Sequence, residues 1–260
     1  MDMTNAFSEQ FSRTAKLMGP EVLKRWQAAE VVVAGVGAVG GYAVEALARS
    51  GVGHLRLVDY DRVELSNLNR QVLAVHSTLG RQKTILAAER VRDINPQCQV
   101  STIDLRIDAG NVEQVLAGIP DLVVDAIDDV DAKIELIAAA QERGLPIVSS
   151  MGAARRIDPG SVRTGLLSRS EGCPLARLIR RRLRQRGLSL DIPCVYSIEP
   201  AAGGTHTHAT GQGDSGGSEI RKRVLGSLPT LTGIIGLTLA HVALMNLLDS
   251  AHAKYGPSKS

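Results

Sequence analysis

Apolar residues in this chain fall into short unbroken runs separated by stretches of helical spacing. That is the pattern of strands buried on both faces alternating with packing helices. Residues 1–29 form a lead in which Leu17, Val22, Leu23 and Trp26 supply apolar positions and Gly19-Pro20 parts two short helices. A first strand is predicted over residues 31–34, a helix over 39–49 ending at Ser50-Gly51, and a second strand over 54–58 that stops on Asp59. Residues 63–79 read as irregular chain or short helix that exposes Asn67, Arg70 and Gln71. The alternation resumes with a helix over 81–94, closed by Asn95-Pro96, and a third strand over 100–103. A short helix over 112–117, a fourth strand over 122–127 reaching Asp128-Asp129, a helix over 132–143 and a fifth strand over 146–150 follow.

Beyond residue 160 the alternation lapses. Residues 162–167 and 194–198 read as strands, taken as antiparallel additions to the sheet. Between them, LARLIRRRLRQR at 175–186 sets Leu175, Leu178, Ile179 and Leu183 on one helical stripe. Arginines without interleaved acids cover the rest, which suits a solvated face or a surface for nucleic-acid phosphates. Residues 201–218 are glycine-rich with few apolar side chains and predict a loop or linker. His206 and His208 in it read as polar loop residues more simply than as metal ligands. Residues 228–248 approach the length of a membrane span. With Pro229, three threonines, His241, Asn246 and many small residues, the segment needs fewer assumptions as a buried helix than as a membrane-associated one.

The first strand runs into Gly35, Gly37 and Gly40, spaced G-x-G-x-x-G, and then directly into a helix. Small residues there let backbone N–H groups approach phosphate at a helix N-terminus, and Asp59 at the tip of the next strand can take ribose hydroxyls. The predicted fold is α/β, with a Rossmann-like mostly parallel sheet, antiparallel C-terminal additions and a buried C-terminal helix. A dinucleotide-binding dehydrogenase fits the glycines equally well. Beyond Asp59, however, come Asp61, Asn67, Arg70, Gln71 and Lys83, a polar and cationic cluster that a dehydrogenase does not need and a triphosphate does. No P-loop pattern is present. Asp128 sits where ligands lie in such sheets, and capping of the following helix explains it as well.

The 260 residues suffice for one large α/β domain, and a formal charge of +3 is unremarkable as a total. Cys98, Cys173 and Cys194 lie far apart, so neither a disulfide framework nor a zinc site made of cysteine alone is expected. Reduced cysteines and the lack of an apolar leader make a cytoplasmic setting the default.

The motifs G-V-G-A-V-G, L-V-D-Y-D, S-N-L-N-R-Q, G-R-Q-K and V-V-D-A-I-D together resemble the ThiF/MoeB/HesA superfamily of ubiquitin-activating-enzyme-like adenylyltransferases. T-A-K-L-M-G-P-E, I-N-P-Q-C, S-S-M-G-A-A-R-R-I-D-P and P-C-V-Y-S-I-E-P narrow the resemblance to its tRNA threonylcarbamoyladenosine dehydratase branch. The resemblance implies an adenylation domain over 30–260, led by residues 1–29 and extended by 161–260. It implies ATP and magnesium, with Gly35, Gly37, Gly40, Asp59 and Asp61 around the nucleotide and Asn67, Arg70, Gln71 and Lys83 at the phosphates. Arg70, Lys83 and Asp128 become the catalytic set, with Asp128 the magnesium ligand.

Arg13 falls where relatives supply an arginine from a second subunit, which implies a homodimer; a solvated charge also accounts for it. Cys194 lies in a matching segment near the substrate, or is a small buried strand residue. The implied substrate is tRNA carrying threonylcarbamoyladenosine, whose carboxylate is adenylated so that the side chain can cyclise. The C-x-x-C pairs of the sulfur-carrier-activating relatives are missing, so no structural zinc is expected. Two alternatives stay open: an adenylyltransferase for the C-terminal glycine of a ubiquitin-like sulfur carrier, and a non-catalytic ATP-binding module partnered with a cysteine desulfurase.

Overall fold

The computed structural model describes residues 9–200 and 225–255, with side chains of the last helix described as far as Leu248. The glycine-rich tract at 201–218, with His206 and His208, lies outside the described residues. Helices α1 (Ser12–Met18) and α2 (Pro20–Ala28) lead into β1 (Glu30–Ala34), α3 (Gly40–Arg49) and β2 (His54–Val58). Then come α4 (Lys83–Ile94), β3 (Gln99–Ile103), α5 (Val112–Val115), β4 (Leu122–Asp125), α6 (Val130–Glu142) and β5 (Ile147–Ser150). β6 (Val162–Leu166), α7 (Pro174–Gln185), β7 (Pro193–Ser197) and α8 (Pro229–Tyr255) complete the chain.

The described residues form one seven-stranded sheet, ordered β3-β2-β1-β4-β5-β7-β6. β1 pairs in parallel with β2, through Val31 and Leu55, and with β4, through Val31 and Leu122. Of the two late strands, β7 lies parallel to β5, and only β6 runs antiparallel, against β7. The period of two along β1 sends Val31 and Val33 into one core and Val32 and Ala34 into the other. The first core also takes Leu47 of α3, Val91 of α4 and Leu231, Ile235 and Leu239 of α8; the second takes Ile134 and Ile137 of α6 and Ile179 and Leu183 of α7. The result is a three-layer α/β sandwich.

Residues Pro229–Leu248 are long and apolar enough to cross a membrane by length and composition, yet in their most apolar 18-residue stretch, of mean hydropathy 1.8, 56% of the residues are buried inside the molecule. Small residues make that burial feasible: a Cβ on Gly236 would lie 2.3 Å from the Val39 carbonyl oxygen. The lead is tied to the same helix, since Trp26 Nε1 donates to the Leu244 carbonyl at 3.1 Å. α1 and α2 sit at the amino end of the sheet, where Phe11 and Leu23 close over Gly51 just ahead of β2.

Candidate active site

At the carboxyl end of β1 the glycines divide by function. Gly35 has φ 86°, and a Cβ there would lie 2.7 Å from the Ala126 carbonyl oxygen. A Cβ on Gly40 would lie 1.8 Å from the Gly35 carbonyl oxygen. These two are demanded by packing between the turn, α3 and the end of β4. Gly37 differs: its Cβ would meet nothing nearer than Gln71 Nε2 at 3.7 Å. The space beside Gly37 is therefore open at a turn whose backbone is otherwise fixed, which suits a phosphate approaching main-chain N–H groups.

Asp59 braces this turn. Its carboxylate accepts the Val36 N–H at 2.8 Å and the Asp61 N–H at 2.9 Å. Burial raises its pKa above the ordinary carboxylate value, opposed by the Lys83 charge and these two N–H donors. Lys83 opens α4, and its ammonium pairs with Asp61 at 2.7 Å, the lysine side chain 4% exposed and the aspartate 47%.

The polar segment after β2 departs from expectation. Asn67 and Gln71 are buried, not exposed. Val63, Leu68 and Ala74 fold into a small apolar cluster with Leu86, and this draws the intervening polar side chains inward. Asn67 Oδ1 accepts the Glu64 N–H at 3.1 Å and so holds its own turn. Gln71 has a buried Oε1 with no partner among the described residues, and its amide faces Gly37. An orphaned acceptor is costly in a native core, whereas the Nε2 that faces Gly37 is a donor suited to a phosphate oxygen placed there. Arg70 is folded onto its own turn, donating to the Ser66 carbonyl at 2.8 Å and to Asn69 Oδ1 at 2.9 Å.

Across the corner, α6 begins at Val130, and Asp129 is its cap, accepting the Asp131 and Ala132 N–H groups while pairing with Arg106. Asp128 is thus relieved of the capping role that the sequence allowed it. It is exposed and has no hydrogen bond or ion pair among the described residues. Burial raises the pKa of Tyr60, and the Asp61, Asp128 and Asp129 charges add to this, so these acids gather around one ring at the rim. Lys83, Asp61 and Asp128 consequently share a corner. Arg13 does not reach it: Arg13 is exposed on α1, at the amino end of the sheet.

Sequence reasoning missed a group behind Asp128. Asp125 and Lys133 are fully buried and paired at 2.6 Å, and Lys133 also donates to the Ser150 carbonyl at 3.0 Å and to Ser149 at 3.3 Å. The second Asp125 oxygen accepts the Ile127 N–H at 3.1 Å, which holds the loop carrying Asp128. An acid in a strand buried on both faces was the available signal, because such a charge needs a partner.

Cys194 is fully buried, and burial pushes its thiol up to about 12, which suits the packing role of a small strand residue. No group of three or more His, Cys, Asp or Glu that could hold a metal occurs among the described residues. At this corner Asp128 offers carboxylate oxygens without a partner among the described residues, a donor that suits magnesium carried chiefly by phosphates and not a protein-built cage.

The fold and this corner define a nucleotide-binding α/β protein without a P-loop. The chain belongs to the ThiF family, whose model matches residues 11–255. It is 40% identical over 190 residues to the Bacillus subtilis tRNA threonylcarbamoyladenosine dehydratase, covering 73% of this chain and 75% of that protein. It is 33% identical over 265 residues to tRNA threonylcarbamoyladenosine dehydratase 2 of Saccharomyces cerevisiae, where the match takes in 95% of this chain and only 59% of the longer yeast protein. Among solved structures, the ATP complex of the Escherichia coli tRNA N6-threonylcarbamoyladenosine dehydratase, TcdA, superposes with TM-score 0.85 at 31% identity, covering 98% of this chain and all of that one. A Thermus thermophilus sulfur carrier protein adenylyltransferase matches 54% of this chain, at 37% identity over 141 residues.

Proposed function

We propose that this chain is an ATP-dependent dehydratase that cyclises threonylcarbamoyladenosine in tRNA. The observation that carries the reading is the open position at Gly37, faced by the Gln71 amide nitrogen and set in a corner with Lys83 and a free Asp128. Likeness to dehydratases across nearly the whole chain selects the substrate, whereas the sulfur-carrier enzyme matches about half of it.

Carboxylate oxygen is a poor leaving group at neutral pH, so ring closure needs activation. The substrate carboxylate attacks the α-phosphorus of ATP, forming one P–O bond while the bond to pyrophosphate breaks. The carbamoyl group then attacks the activated carbonyl, expelling AMP and closing the ring, with net loss of one water from the nucleoside. Lys83 and Arg70 serve as fixed positive charges for the phosphates once they leave Asp61 and the Ser66 carbonyl. Asp59 orients the ribose while holding the turn. Magnesium on Asp128 would supply further positive charge beside the phosphates. Arg13, remote from its own corner, completes the site of a second copy in a cytoplasmic homodimer. Residues 30–260 act as the adenylation unit, with 1–29 as its lead.

The test is incubation with ATP, magnesium and tRNA bearing threonylcarbamoyladenosine, followed by mass spectrometry of the nucleoside. A product lighter by one water is expected. Recovery of the linear nucleoside, with AMP released only when a Gly-Gly-tailed protein is added, would transfer the activity to sulfur-carrier adenylation.

A further inference from the structure

Five arginines lie on α7 and a sixth, Arg186, caps its end, and the structure separates the six into two sets. Arg180 turns inward and donates to the Ser170 carbonyl at 2.6 Å, tying the turn before the helix to its second turn. Arg182 pairs with Asp131, and Arg186 with Glu135 at 3.0 Å, so α6 supplies the acids that the helix itself lacks. These three belong to the scaffold. Arg177, Arg181 and Arg184 are exposed and have no hydrogen bond or ion pair among the described residues. Their spacing of four and three residues puts them on one face, opposite the buried Ala176, Ile179 and Leu183.

The position of this face matters as much as its charge. α7 starts beside the carboxyl end of β5, since a Cβ on Gly152 would lie 3.5 Å from both Cys173 Sγ and Leu175 Cβ. The pairs Arg182–Asp131 and Arg186–Glu135 advance together by four residues, so α7 and α6 run in the same direction. Arg182 stands level with the first turn of α6, so the residues of α7 before it lie toward the carboxyl end of the sheet, the end that carries Asp128. Arg177 and Arg181 lie in that part of the helix, and Arg184 about one turn further on.

We propose that this face of α7 is the surface on which RNA backbone phosphates dock, guiding a nucleoside toward the Asp128 corner. The inference rests on the tRNA reading above and names the surface that reading lacks. Guanidinium groups without acidic partners, presented in a row at the rim, suit phosphate oxygens, which accept paired N–H donors. An acidic protein segment is the competing occupant, and the test separates the two.

The experiment measures the binding of tRNA to the full chain across a salt series. Arg177→Gln, Arg181→Gln and Arg184→Gln are introduced singly and together, beside a charge-matched control remote from this face, Lys24→Gln at the amino end of the sheet with Arg49→Gln and Arg92→Gln in the opposite layer. The triple variant should lower the slope of log affinity against log salt by roughly 2 to 3, each single variant by about 1, and the control by much less. ATP binding should be unchanged in all of them, which also checks folding. Unchanged tRNA binding in the triple variant, equal losses in the control, or no tRNA binding by the parent would each overturn the proposal. If the parent binds tRNA through this face but never dehydrates the nucleoside, the docking surface stands and the proposed reaction falls. If dehydration proceeds with the same KM for tRNA in the triple variant, the reaction stands and the surface falls.

Discussion

Two lysine–aspartate pairs stand at the carboxyl end of this sheet, on opposite sides of the glycine turn, and they differ in their access to water. Lys133–Asp125 is sealed, with both side chains 0% exposed and serines 149 and 150 filling the remaining positions on the ammonium. Lys83–Asp61 is sealed on the lysine side only, with the aspartate about half in solvent. A closed pair has no route to another partner, so its charges serve the protein itself by holding Ile127 and the loop to Asp128. An open pair keeps a cation desolvated and aimed while its counter-ion can be displaced by an incoming anion. The same two residue types thus act as a brace in one place and as a poised contact in the other.

The largest effect that would break this contrast is expected at the brace. Lys133→Met strands a buried carboxylate and should destabilise the protein by about 3–5 kcal/mol, read from urea denaturation. Lys133→Met combined with Asp125→Ala should recover a large part of that loss, because no uncompensated charge remains. If Lys133→Met alone is neutral, the pair is not a brace. Lys83→Ala should do the reverse, reducing the rate of AMP formation by roughly two orders of magnitude or more. It should cost about 1 kcal/mol or less in stability, since the acid it leaves behind is hydrated. Comparable losses of stability in both lysine variants would erase the distinction.

The smallest effect concerns pH. Because burial raises the Asp59 pKa, this carboxyl takes up a proton on acidification before an ordinary aspartate would. Protonation removes an acceptor for the Val36 N–H and for ribose, so ATP affinity should rise with pH through that raised range and then level off. Calorimetric titration of ATP checks this, and Asp59→Asn should remove the step. For stability the sign is opposite. The native state holds this proton more tightly than the unfolded chain, so the contribution is full below the unfolded pKa and lost as pH rises through the native one.

The contrast also marks where sequence reading stops. Each βα unit through residue 150 was legible because strand and helix periods are local consequences of backbone geometry, and the glycine turn was legible because its residues are contiguous. Asn67 and Gln71 read as exposed because polar residues in irregular chain normally are, and the small apolar cluster beneath them assembles only in three dimensions. Asp128 and Asp129 could not be told apart as cap and free acid until the start of α6 was located. The arginines of α7 carried no visible acids because their partners lie 51 residues away in sequence.

By itself, the sequence determined the class of fold, the nucleotide turn and the identities of the groups around it, since periodicity and short motifs depend only on neighbours along the chain. Only the tertiary structure decided the sheet order, the parallel placement of β7, which lysine is closed off and which arginines remain free. Those outcomes depend on which distant charges meet and how much water is excluded when the layers close. Burial and counter-charge are properties of the packed molecule and not of any segment of it.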